Sequence, residues 1–156
     1  MVDLTTKSKD LVKGVLECIE AIIDRAGGQE SGDLLGKFRA RARSLPTDLA
    51  SHGLQYLVVL TAARSNKRLI EESLRKNSCV DVVNSLVSEK GLHDDKRSYA
   101  LYGGVLVYLL KQQGIIDEKV SSFRELLENL ANPAVEALAT PIAEWLKRLA
   151  EAYIAE

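Results

Sequence analysis

Residues 8–26 read SKDLVKGVLECIEAIIDRA, and the spacing of their apolar positions decides the fold class. Leu11, Val12, Val15, Leu16, Ile19, Ile22 and Ile23 recur every three or four residues, which places them on one stripe of a helix with about 3.6 residues per turn. Gly27-Gly28 predicts the end of that helix, and Gln29 to Asp33 reads as a polar loop. Outward from there the same period returns in almost every segment, and no sustained apolar/polar alternation interrupts it. A second helix is expected from about Leu34 to Ser44, stopping before Leu45-Pro46 because a residue preceding proline avoids the α region. Pro46 then opens a third helix to about Arg64. Asn66 to Lys76 and Cys79 to Glu89 carry further amphipathic runs, and Asp94 is the expected cap of a helix reaching about Gln113. Ser121 or Ser122 starts a segment through Ala131. The last helix is either Pro133 to Ala155 kinked at Pro141 or, more simply, Pro141 to Ala155 with Thr140 as cap. The expectation is an all-α, compact single-domain bundle of about six to seven helices over residues 1–156, with no separate linker.

Composition agrees with one domain. The chain has 156 residues, 46% hydrophobic and 28% charged with 3 prolines, enough apolar side chain for one core and too much for bulk disorder. No apolar run nears the ~20 residues that span a bilayer, the best being Leu57 to Ala63 and Val105 to Leu110. Met1 to Lys9 carries Asp3, Lys7 and Lys9 with no apolar region behind them, unlike a signal peptide. Cys18 and Cys79 form no CxxC pair or Cys/His cluster, so they are expected as reduced, buried thiols in a cytoplasmic protein.

A formal net charge of −1 conceals a strong asymmetry. Residues 37–76 hold 9 basic and 3 acidic groups, whereas residues 1–36 and 111–156 each carry a net −3. A basic block in an otherwise acidic chain suits a polyanion, an acidic protein surface, or a solvated face balanced by neighbouring helices. At about 100° per residue, Leu34, Leu35, Phe38, Ala42 and Leu45 make one apolar stripe; Lys37 and Arg41 border it on one side, Arg39 and Arg43 on the other. No acidic residue lies three or four positions on within that helix to neutralise them. Long cationic stems flanking a buried edge suit phosphate binding, which needs positive charge at intervals and no base-reading side chain. Arg64, Lys67, Arg68, Arg75 and Lys76 continue the block, though Glu71 and Glu72 stand at i,i+4 pairing distance from Lys67, Arg68 and Arg75. Arg64 is the least compensated.

Catalytic templates fail. The glycines of residues 27–36 miss the phosphate-loop spacing at Ser31 and Phe38, and no strand precedes them. His93-Asp94-Asp95 is better read as a helix start than as a metal site, and His52 has no evident Cys or Ser partner. Tyr99, Tyr102, Tyr108 and Trp145 fall at helical spacings that suit packing better than base stacking. Gly53, Gly103 and Gly104 within helical patterns each cost ~1 kcal/mol relative to Ala and suggest close helix crossings. No catalytic residue, metal or cofactor is expected.

Two patterns carry a family resemblance. Arg41 and Arg43 precede Leu45-Pro46, with Gly53-Leu54 seven residues after the proline and Leu57 and Leu60 beyond; the chain closes on Trp145-Leu146-Lys147-Arg148-Leu149-Ala150-Glu151. In a short all-α chain these resemble the small α-helical subunit of the type III-B CRISPR effector, the Cmr RNA-targeting complex. Val59-Leu60 stands where an aromatic-Leu pair is usual, and Leu149 where Phe is usual. The resemblance implies a noncatalytic subunit in antiviral defence. Such a subunit is a monomer alone, stacks in several copies along the effector with other Cmr subunits, and holds guide RNA and target RNA by the backbone while base pairing supplies specificity. The expected RNA contacts are Lys37, Arg39, Arg41, Arg43 and Arg64, followed by Lys67, Arg68, Lys147 and Arg148. The competing reading is a protein-only helical adaptor whose basic strip docks on an acidic neighbour.

Overall fold

A computed structural model describes residues 4–27 and 33–155, with side chains from Asp10 onward; most of the polar loop expected at Gln29 to Asp33 lies outside the described residues. The described residues contain eight helices and no strand, so the all-α expectation holds with a higher helix count. In chain order they are α1 (Leu4–Ala26), α2 (Leu34–His52), α3 (Leu54–Arg64), α4 (Lys67–Ser73), α5 (Cys79–Val87), α6 (Asp94–Gln112), α7 (Phe123–Leu130) and α8 (Pro133–Tyr153).

The bundle is organised around α6. Its central segment, Ala100 to Leu110, is buried at every position, as a helix apolar on all sides must be. α2, α3, α4 and α5 pack against it, while α1 lies over α5 and α8, and α8 lies over α2. Adjacent glycines permit that crowding. A methyl group on Gly103 would collide with Thr61 of α3 and come within 2.7 Å of the Ile70 Cδ1 of α4; one on Gly104 would come within 2.6 Å of Ser73 Oγ and 2.8 Å of Leu86 Cδ1. The close crossings expected at these two positions are therefore present.

Local capping explains most of the helix starts. Asn66, Ser78, Ser122 and Asn132 accept hydrogen bonds from the backbone N–H of Arg68, Asp81, Glu125 and Ala134. Asp94, the expected cap of α6, is instead its first helical residue, and the cap position is His93, with no side-chain cap hydrogen bond. Two expected boundaries are corrected. α2 does not stop before Pro46 but runs through it to His52, and the break falls at Gly53, whose φ of +91° favours glycine. Leu45 and Leu49 on either side of Pro46 are buried, so packing overrides the pre-proline bias. Likewise α8 begins at Pro133 and continues through Pro141 to Tyr153, with Asn132 rather than Thr140 as its cap. Pro141 and Ala137, whose carbonyl the proline leaves without an amide, are both on the exposed side, where water can serve that carbonyl.

The thiols are also corrected: Cys18 of α1 and Cys79 of α5 are paired as a disulfide, with Cα atoms 5.0 Å apart. Sixty-one positions of separation gave no hint of this, because the packing of α1 on α5 brings the two residues together. With the thiols paired, they no longer argue for a reducing compartment. No helix among the described residues is long and apolar enough to cross a membrane.

Candidate nucleic-acid interface

The apolar stripe of α2 is buried as its spacing demands, with Leu34, Phe38, Ala42, Leu45 and Leu49 all inside. Burying that stripe turns the opposite side of the helix outward. Gly36, Ala40, Ser44, Thr47 and Ser51, all exposed, form this outer ridge, and it contains neither an acid nor a bulky side chain. The two cation rows run along its flanks.

Each flank leans on a different neighbour. On the α6 side, Arg41 Nη2 donates to Asp95 Oδ1 at 2.6 Å and Arg41 Nε to Ser98 Oγ at 3.2 Å, while the guanidinium lies 4.2 Å from the centre of the Tyr99 ring. Lys37 on the same flank is 3.6 Å from Asp33. On the α8 side, Arg43 meets Glu151 at 3.3 Å, and the same carboxylate takes Arg148 at 3.1 Å. Arg39, half-buried, lies on the Arg43 flank. Thus no acid stands three or four residues after these cations, but Asp33, four residues before Lys37 at the N-cap of α2, and the acids Asp95 and Glu151 of neighbouring helices pair with them.

The contact of Arg43 with Glu151 and the 2.6 Å hydrogen bond from the Leu54 N–H to Glu136 Oε1 show that α2 and α8 run antiparallel. Lys147, half-buried on the α2-facing side of α8 between those two acids, therefore joins Arg43 and Arg148 along the α2–α8 seam. Lys147 has no polar partner among the described residues. Glu151 takes both Arg43 and Arg148 at this seam, while Asp33 and Asp95 stand on the α6 flank.

The remaining candidates are not part of this face in any contact. Arg68 is clamped by Glu72 at 2.8 Å and Glu89 at 2.6 Å, and hydrogen bonding to Glu72 and then Glu89 raises its pKa further above the ordinary arginine value. Glu71 pairs with Arg75 at 3.4 Å and accepts from the Phe123 N–H at 2.7 Å; Lys67, which spacing had offered to Glu71, is exposed and unpaired among the described residues. Arg64 is also exposed with no polar partner there, as its lack of local acids suggested.

His52 is exposed with its ring 4.6 Å from that of Tyr56, a surface histidine. Among the described residues no group of three or more His, Cys, Asp or Glu is placed to hold a metal ion. Tyr102 is fully buried, its hydroxyl lacks a hydrogen-bond partner among the described residues, and desolvation, assisted by the charge of Glu144, raises its pKa well above the ordinary tyrosine value. Desolvation also raises Tyr108, with smaller contributions from Glu17 and Asp81. Sequence reasoning missed the carboxylates of Asp95 and Glu151, which stand 54 and 108 positions from the arginines they meet. Comparison with protein-family models, curated proteins and solved structures finds no match to this chain.

Proposed function

We propose that the chain is a noncatalytic subunit of a ribonucleoprotein that binds RNA by its backbone, as its resemblance to the Cmr small subunit implies, with the outer face of α2 and the α2–α8 seam as the contact. The observation that carries this reading is the outer ridge of α2, small and free of acids, flanked by Lys37 and Arg41 on one side and Arg39 and Arg43 on the other. A sugar-phosphate chain can approach such a ridge closely and be reached by cations from both sides. The ion pairs do not forbid this. In each pair one member is open to solvent, Asp95 at 60% and Arg43 at 49% against 21% for Arg41 and 24% for Glu151, so phosphates can reach and compete for the guanidinium groups. Backbone contact without base readout suits a complex in which a guide strand reads the sequence.

The test is RNA binding across a salt series. If about 4 phosphates are neutralised, log affinity falls with log salt at a slope of roughly −3. Replacing Arg39, Arg41 and Arg43 by alanine together should flatten that slope and weaken RNA retention in the assembled complex; an unchanged slope and unchanged retention refute the assignment. The adaptor reading has one observation in its favour, since Arg41 and Arg43 already pair with carboxylates of neighbouring helices. Crosslinks to protein with none to RNA would select it.

A further inference from the structure

The disulfide that ties α1 to α5 takes no part in the α2 face, yet it is a bond with chemistry of its own. Its two residues are not equally closed off. Cys18 is 0% and Cys79 5% exposed, and of the two only Cys79 lines a groove of about 600 Å³ between α1, the start of α5 and α6. The α1 wall of this groove presents Glu17, Glu20, Ala21 and Asp24, which fall within about 100° of the helix circumference. None of the described residues lining the groove is basic. Glu17 and Glu20 are exposed and form no ion pair among the described residues, whereas Asp24 meets Arg25 at 3.5 Å. On the opposite wall the positive end of α5 is offset by Asp81 in its first turn, and the Asp81 N–H is already taken by Ser78 Oγ at 3.1 Å. Glu17 and Asp81 both add to the desolvation that raises the pKa of Tyr108, a lining residue, so their field reaches into the groove.

A disulfide is opened by a thiolate that strikes a sulfur it can reach. Cys79, the first residue of α5, is the better leaving group by its place at a helix N-terminus, but it leaves only when Cys18 is struck, and Cys18 is covered. Access therefore directs attack to Cys79. We propose that Cys79 Sγ is a site of thiol–disulfide exchange that selects its reductant by charge, favouring a thiol that carries an ammonium group over an anionic one. The incoming thiolate bonds to Cys79 Sγ, the Cys18–Cys79 bond breaks, and Cys18 leaves with the electron pair and takes a proton from water. A second thiolate then attacks the mixed disulfide, so two thiols are oxidised to one disulfide as Cys18 and Cys79 are reduced. The acids of α1 draw an ammonium group toward the sulfur and repel a thiolate that also bears carboxylates. A charge and an acid about 10 Å apart in water change a rate about twofold. Glutathione as its thiolate carries two more negative charges than cysteamine as its thiolate, and against Glu17 and Glu20 these make four such pairs, a selectivity of roughly tenfold. The exchange needs neither RNA nor the α2 face.

The folded full-length chain is reduced by cysteamine and by glutathione at matched thiolate concentration and low salt. Each rate is divided by the rate for an unstructured peptide disulfide, which removes the intrinsic nucleophilicity of the thiol, and samples quenched in acid are mapped by mass. Both rates should rise in proportion to thiol, the first adduct should sit on Cys79, and cysteamine should be favoured roughly tenfold. That preference should vanish at about 1 M salt, where screening is complete within a few ångströms, and should shrink in Glu17→Gln/Glu20→Gln, whose circular dichroism should match wild type. Equal normalised rates, a first adduct on Cys18, or a disulfide that both thiols leave intact overturns the proposal. So does a rate independent of thiol concentration, which would mean that the bond opens only when the fold does, or a preference that survives high salt. Should the double variant fail to fold, Glu17→Gln alone and the salt series on wild type carry the same comparison.

Discussion

Replacing Gly103 by alanine adds one methyl group, and its sign is set by two opposed effects. Alanine is the better helix former by about 1 kcal/mol, so at an open position the change stabilises. Gly36 in α2 is such a position, with nothing within 4 Å of an added Cβ. At Gly103 the added Cβ would collide with Thr61 Oγ1 and come within 2.7 Å of both Thr61 Cβ and Ile70 Cδ1. The Ile70 methyl ends a flexible side chain and can swing away. Thr61 Cβ cannot, because it is fixed to the α3 backbone and its hydroxyl is held by the carbonyl of Val58 at 2.8 Å, so α3 itself must shift. Overpacking of this kind costs typically 1–3 kcal/mol. Subtracting the propensity gain leaves Gly103→Ala less stable by up to about 2 kcal/mol, whereas Gly36→Ala gains up to about 1 kcal/mol. Shortening the second obstacle provides an internal check. Ile70→Val alone leaves a small void and costs about 0.5–1.5 kcal/mol, but in the Gly103→Ala background the new methyl occupies that space, so the double variant should lose less than the two single losses combined. Urea unfolding followed by circular dichroism measures all four proteins. If Gly103→Ala proved as stable as Gly36→Ala, the close crossing of α3 and α4 over α6 would be wrong, and with it the order of the core.

Three further outcomes follow from particular contacts. Replacing Cys18 and Cys79 together by alanine opens a loop of 61 positions and should cost about 4 kcal/mol by chain entropy, while alkylation of the native protein should modify neither cysteine until it is reduced; two reactive thiols in the native state refute the pairing. Tyr102→Phe removes a buried hydroxyl without a partner and should stabilise by up to about 1–2 kcal/mol near neutral pH. Because the folded-state pKa of Tyr102 lies above its unfolded value, its share of stability is complete below about pH 10 and is lost as pH rises beyond it; denaturation between pH 9 and 11 should show that fall in wild type and less of it in Tyr102→Phe, with Tyr108 supplying the remainder in the same direction. Glu151→Gln removes a negative charge from beside Arg43 and Arg148 and should raise RNA affinity by about threefold at low salt, whereas an unchanged or lower affinity places the RNA elsewhere.

Local physics was readable in the chain, and contacts between distant helices were not. The apolar stripe of residues 11–23, the helix start at Ser122, and the crowding glycines at 103 and 104 each depend on side chains a few positions apart or on the absence of a side chain. Pro46 and Pro141 misled for a specific reason: a proline removes one hydrogen bond, but a helix held along its length by buried leucines and alanines tolerates that loss. Their true end signals were Gly53 and Asn132, the one a residue free to adopt positive φ and the other a short side chain that accepts from the first turn.

The cations illustrate the same division at the candidate site. Periodicity placed Lys37 and Arg41 on one border of α2 and Arg39 and Arg43 on the other, and the structure keeps them there. What periodicity could not supply was the chemistry of the helices leaning on each border. Asp94 and Asp95 stand at the start of α6, where the positive end of the helix dipole favours acids whatever lies opposite, and Arg41 reaches one of them. Glu151 belongs to the last turns of α8, the end that disfavours an acid, so its position is explained by Arg43 and Arg148 rather than by its own helix. Asp95 would be at home without Arg41, and Glu151 would not be at home without its two arginines. The α2–α8 seam is thus the flank where charge was arranged between helices, and there a competing anion would change the local balance most.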